Sequence, residues 1–150
     1  MTSSAAIREF LAQPALAVVG LSRGGRKFGN LAYRDLKKKG YRLYAVHPRA
    51  DVLEGDAVFR DLHSLPEPVG GVLVVVPPER AQAVVEQAAA AGIRRVWLQQ
   101  GAESPEVLRR CRELGLQTIH GECILMFAQP AGFVHRAHRW AWSALGRIPQ

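Results

Sequence analysis

The run Ala15–Asn30, A-L-A-V-V-G-L-S-R-G-G-R-K-F-G-N, constrains the fold more than any other stretch. Ala15–Val19 is apolar with no polar alternation, so it reads as a strand buried on both faces. Gly20 breaks it. A loop with Gly24, Gly25 and Gly29 follows, carrying Arg23, Arg26 and Lys27, and a helix is expected from about Asn30. Strand, glycine loop and helix N-terminus in succession make a place for a phosphate. The N–H groups of the loop and first helical turn lack partners, the helix dipole favours an anion, and glycine admits close approach. The glycine spacing is neither G-x-G-x-x-G nor the Walker pattern. The alternative reading of the loop is an ordinary βα turn that holds nothing.

The same pattern recurs along the chain. Ser3 or Ser4 caps a first helix with Ile7, Phe10 and Leu11 on its apolar face. Helix 30–39 ends at Gly40, strand 41–46 stops at His47-Pro48-Arg49, and residues 50–69 read as irregular, with a short strand at Val58-Phe59 and a turn at Leu62–Leu65. Gly71–Val76 is a second wholly apolar strand, ended by Pro77-Pro78. Helix 80–91 closes at Gly92. Val96–Leu98 runs into Gln99-Gln100-Gly101. Ser104 caps a helix that has Pro105 in its first turn and ends at Gly115, and Leu116–Ile119 is a last strand. Strands this apolar do not suit a sheet with one wet face. Strand–helix alternation then predicts an α/β fold with a doubly wound, mainly parallel, Rossmann-like sheet. In that architecture ligands sit at the carboxyl ends of the strands. Those ends are Gly20–Ser22, His47–Arg49, Val76–Pro78, Gln99–Gly101 and Gly121–Cys123.

The 150 residues suit one domain with a full core, and with 48% hydrophobic residues it needs no disulfide or metal to fold. The N-terminus has no apolar signal core and no run has the length of a membrane span, so a cytoplasmic protein is expected. Net charge is +7. The excess gathers between Arg23 and Arg49, where nine basic residues face a single acid, Asp35. An anionic partner follows from such a patch, although Lys37–Lys39 also read as a solvated helix end. The segment 131–146 is expected to form an amphipathic helix, with Val134, Ala137, Ala141 and Leu145 on one face, suited to docking or a homodimer contact rather than to a membrane surface.

Four anionic ligands come into question at these positions. A site for NAD wants a carboxylate after the second strand to hold the ribose diol. His47-Pro48-Arg49 has none, which disfavours NAD. Arg49 suits a ribose phosphate, keeping an NADP-binding oxidoreductase fragment open and fitting a 3′-phosphorylated adenosine equally. A nucleic acid on the basic patch would bind with steep salt dependence.

The motifs A-V-V-G-L-S (17–22), Lys27, Gly29, K-G-Y (39–41), V-H-P (46–48), V-L-V-V-V-P-P-E (72–79), V-W-L-Q-Q-G (96–101) and E-C-I-L-M (122–126) resemble the small stand-alone CoA-binding proteins. These are relatives of the CoA-binding domain of succinyl-CoA synthetase α subunits, and the resemblance spans about 7–126. It implies coenzyme A or an acyl-CoA as ligand, in a sensor or carrier without a catalytic domain. Gly20, Ser22 and Gly29 are then expected to cradle the diphosphate, with Lys27 as charge partner and Arg26 beside it. Pro48 with His47 and Arg49 would flank the adenosine, Val76 and Pro77 the pantetheine arm, and Gln99 and Gly101 its distal part. The chain departs from the family pattern at His47, where asparagine is usual, and at Gly24-Gly25, where many relatives carry proline.

No histidine among His47, His63, His120, His135 and His138 has a carboxylate at a spacing that marks a dyad or a metal site. Cys123 lies beyond the last strand on the ligand side, either as a small hydrophobe or within reach of the CoA thiol for a mixed disulfide under oxidising conditions. Cys111, on a helical apolar stripe, is expected to be inert. On this reading, valine at Gly20 blocks the ligand and leaves a folded domain.

Overall fold

The computed structural model describes residues 3–130. Seven strands form one sheet in the order β3-β4-β2-β1-β5-β6-β7. They are β1 (Leu16–Val19), β2 (Leu43–Val46), β3 (Val52–Leu53), β4 (Asp56–Phe59), β5 (Gly71–Val74), β6 (Arg95–Leu98) and β7 (Gln117–Ile119). All pairings are parallel except β3 with β4 at one edge. Among the described residues four α-helices cover the sheet: α1 (Ser4–Leu11), α2 (Phe28–Lys38), α3 (Pro78–Ala90) and α4 (Pro105–Glu113). This is a Rossmann-like doubly wound α/β domain. The helix expected over 131–146 lies outside the described residues. None of the helices among the described residues is long and apolar enough to cross a membrane.

Successive strand residues point to opposite faces, and here both faces are buried. Leu16, Val18, Leu73, Trp97 and Ile119 pack with Ile7 and Phe10 of α1 and Ala32, Tyr33 and Leu36 of α2. Ala17, Val72, Val74, Val96 and Leu98 pack with Ala81, Val84 and Val85 of α3 and Val107 and Cys111 of α4. That double burial is why the strands read as unbroken apolar runs. Trp97 is fully buried, edge-on to Phe10 at 5.4 Å between ring centroids. Its Nε1–H donates to Glu122 O at 3.0 Å.

Several elements differ in extent from the sequence expectation, among them α2, which begins at Phe28 rather than Asn30, and two of the differences bear on the site. Residues 50–69 hold a β3–β4 hairpin rather than an isolated strand at Val58-Phe59. Its turn is Glu54-Gly55, both at positive φ (51° and 80°). That geometry matches the twist of paired strands, but glutamate is not among the residues that signal it. Helix α3 begins at Pro78 rather than Arg80. Proline is well placed at N1, where its missing N–H costs nothing, so the second proline that appeared only to end a strand also starts a helix.

Strand order reverses between β1 and β5. The chain leaving β1 enters α2 on one face, and the chain leaving β5 enters α3 on the other. A crevice opens where the two diverge, at the carboxyl ends of the strands.

Candidate functional site

The crevice is a cleft of about 650 Å³ bordered by the ends of β1, β2, β4 and β5 and by α3. Of the residues expected from sequence, Gly20, Ser22, Lys27, His47, Pro48, Arg49, Val76 and Pro77 line it. Arg26, Gly29, Gln99, Gly101 and Cys123 do not. Leu21, Arg60 and Arg80 also line it, and sequence reasoning named none of them as site residues. Arg60 directly follows β4, a strand parallel to β2; the short strand expected at Val58-Phe59 ends just before it, but its place in the parallel sheet is decided only by the fold. Arg80 sits in the first turn of α3, hidden by the late start assigned to that helix.

No carboxylate is among the lining residues, while Arg23, Lys27, Arg49, Arg60 and Arg80 all are. Of these, only Arg60 makes an ion pair among the described residues, to Asp51. The helix ends reinforce the charge. Ser3 and Ser104 cap α1 and α4 with side-chain oxygens. Helices α2 and α3 start at Lys27 and Pro77 with no side-chain cap, and both of those residues line the cleft. Orphan N–H groups and two positive dipole ends therefore meet an acid-free cavity.

The glycine loop is held by Asn30, which is fully buried. Its Oδ1 accepts from Ser22 N–H at 2.9 Å and from the Ser22 hydroxyl at 3.0 Å. Its Nδ2 donates to Ser22 O and to Glu54 Oε2, each at 2.9 Å. Arg34 Nη1 donates to the Glu54 carboxylate at 3.0 Å and to Gly25 O at 3.1 Å. Hydrogen bonding from Asn30, then the Arg34 charge, holds the Glu54 carboxyl below its usual range against the opposing effect of burial. The hairpin turn thus braces the loop from outside.

Gly20 and Gly29 have a packing role that sequence did not reveal. A Cβ on Gly20, whose φ is +130°, would lie 2.2 Å from Val75 O; one on Gly29 would lie 2.5 Å from Gly20 O. The protein's own backbone occupies the space that glycine leaves. This corrects the expectation that valine at Gly20 leaves the domain folded.

His47 Nδ1 accepts from Arg49 N–H and Ala50 N–H, both at 3.0 Å. An acceptor Nδ1 carries no proton, so the turn requires a neutral ring, or an asparagine carbonyl in its place. Burial, then the positive charges of Arg23, Arg60, Arg49 and Arg80, lower its pKa. The unfolded chain therefore binds the His47 proton more readily than the folded one. Stability linked to His47 is complete above its ordinary pKa and declines as pH falls below it. Between about pH 7.5 and about pH 5.5 the melting temperature should fall more for the native chain than for His47→Asn. Parallel declines in the two melting curves would contradict this role.

At the far end of the sheet Gln99 is buried, and its Oε1 accepts from Ile124 N–H at 3.1 Å. With the Trp97–Glu122 bond it clamps segment 122–124 to the end of β6. Cys123 precedes the 3-10 turn Ile124–Met126. Cys111 is on the buried face of α4, and burial raises its thiol pKa.

The chain resembles known proteins in both sequence and shape. Uncharacterized protein YneT of Bacillus subtilis is 28% identical over 123 residues, covering 81% of this chain and 91% of that protein. A conserved hypothetical protein from Pyrococcus furiosus is 36% identical with a TM-score of 0.71, covering 75% of this chain and 97% of that one. A dinucleotide-forming acetyl-coenzyme A synthetase 1 from Ca. Korarchaeum cryptofilum is 26% identical with a TM-score of 0.62. That match covers 70% of this chain and only 25% of the synthetase. Residues 15–129 match the family described as CoA binding domain. The strand–loop–helix from Leu16 into α2, the cleft at the switch point and this match agree, and the chain belongs to the CoA binding domain family.

Proposed function

We propose that this chain binds coenzyme A, free or as a thioester, in the cleft at the β1–β5 switch point, and acts as a sensor or carrier rather than a catalyst. The observation that carries the reading is an acid-free cleft lined by five cations and headed by two uncapped helix N-termini, in a chain of this family. Four roles follow for the residues. The loop from Gly20 to Lys27 and the first turn of α2 take the diphosphate, and Lys27 supplies charge. His47 and Pro48 flank the adenosine, with the His47 ring holding the backbone turn that presents Pro48 and Arg49. Val76 and Pro77 line the path of the pantetheine arm toward α3. Arg80 faces the cleft from that helix and adds to the field that draws the anion in.

Isothermal titration with CoA, acetyl-CoA, NAD and NADP tests this. CoA or its thioester should bind measurably and NAD should not, because the end of β2 offers cations instead of the carboxylate a ribose diol needs. Lys27→Ala should weaken CoA by about tenfold or more, as expected for losing a charge-assisted contact. Tighter binding of NADP than of CoA would overturn the reading.

A further inference from the structure

We propose that Arg60, paired with Arg49, forms a second anion pocket that reads a monophosphate on the ligand's ribose and so sets specificity for 3′-phosphorylated CoA over its dephosphorylated form. The inference rests on the CoA reading above and deepens it. Arg60 stands at the carboxyl end of β4, and His47 N–H donates to Phe59 O at 2.9 Å. The end of β4 is thereby tied to the turn carrying Pro48 and Arg49. Adjacent strands lie ~4.8 Å apart, so this corner is about 10 Å from the glycine loop at the end of β1, two strands away. One phosphate group does not serve both places.

The guanidinium of Arg60 is preorganised. Its Nη1 donates to Pro48 O at 3.1 Å and its Nη2 to Asp51 Oδ1 at 2.6 Å. A guanidinium carries five N–H donors, so most remain for a ligand while the fork is held in place. In sheets of this type the ribose lies at the end of the second strand, and arginine there accommodates a ribose phosphate. Arg49 is unpaired among the described residues, and the Arg60 fork suits a phosphate bidentately. Asp51 partly neutralises Arg60, but its side chain is 86% exposed, so it contributes little to the fold and is open to substitution.

The test is titration of CoA and 3′-dephospho-CoA against the native chain, Arg60→Gln, Asp51→Asn and Lys27→Ala, with thermal melts as the control for folding. The native chain should favour CoA by about tenfold to a hundredfold, the range for charge-assisted bonds. Arg60→Gln should cut that preference to within about threefold by weakening CoA alone. Asp51→Asn, which leaves Arg60 more positive, should increase the preference. Lys27→Ala should weaken both ligands alike. Equal weakening of both ligands in Arg60→Gln, or a native chain that does not discriminate, would overturn the proposal while leaving CoA binding intact. Should Arg60→Gln fail to fold, an Asp51→Asn preference equal to or below the native one decides against it. A native chain that binds neither ligand would overturn the CoA reading itself.

Discussion

Valine at Gly20 should produce the largest loss of stability of any single substitution in the loop. Its Cβ would stand 2.2 Å from the Val75 carbonyl oxygen and 2.9 Å from Val75 Cβ, at a φ of +130°. Both neighbours belong to the chain leaving β5, which Val75 N–H anchors to Val19 O at 2.8 Å. Neither side can yield without separating the two central strands. Overpacking of ~1–3 kcal/mol and backbone strain of ~1–3 kcal/mol together give roughly 2–6 kcal/mol, a large share of a domain's stability. Gly24 is the control: no atom lies within 4 Å of a Cβ built there, and Gly24→Ala should melt close to the native chain. Urea titration of both variants checks this. A Gly20→Val midpoint equal to the native value would show that the β1–β5 junction relaxes. Lost CoA binding in Gly20→Val would not by itself report a ligand contact, because the loop it should cradle would be displaced.

Alanine at Asn30 should be the next most damaging change. It removes four hydrogen bonds at once, three of them to Ser22. The fully buried amide leaves a void, and the Ser22 backbone and the Glu54 carboxylate lose partners. Each buried polar group left unpaired costs ~1–3 kcal/mol; water reaches part of this network, so a total of about 2–4 kcal/mol is expected. Affinity for CoA should fall as well, since the loop would no longer be held in its binding shape. Asn30→Asp offers a sharper test through its pH dependence. The new carboxyl cannot donate to Glu54 and faces its charge, so its pKa rises in the folded state. A raised carboxyl binds more protons when folded, and stability is then lost as pH increases. Asn30→Asp should therefore lie closest to the native chain in mild acid and furthest from it at neutral pH. A constant gap across pH would remove Glu54 from the network.

The architecture was legible because of how it is buried. Strands covered on both faces must be apolar throughout, and Ala15–Val19 and Gly71–Val76 are. Such strands separated by helices leave few alternatives to a doubly wound sheet, and the carboxyl-end rule then gathered Gly20, Ser22, Lys27, His47, Pro48, Arg49, Val76 and Pro77 at one cleft. Other features needed the folded chain. Gly20 and Gly29 look from sequence like glycines that make room for a ligand, but each makes room for backbone brought close by the sheet. Asn30 gave no signal, because its partner Glu54 lies on a hairpin whose turn residues are atypical. The basic run from Arg23 to Arg49 faces only Asp35 in sequence. In the fold Arg34 meets Glu54, Lys37 meets Asp56 and Arg42 meets Glu67, while Arg23, Lys27 and Arg49 remain unpaired among the described residues beside the cleft. Composition counts charges, but their energy depends on separation in space. The sequence by itself therefore determined that the chain is cationic and doubly wound; only the tertiary structure decided which cations are left to meet a ligand.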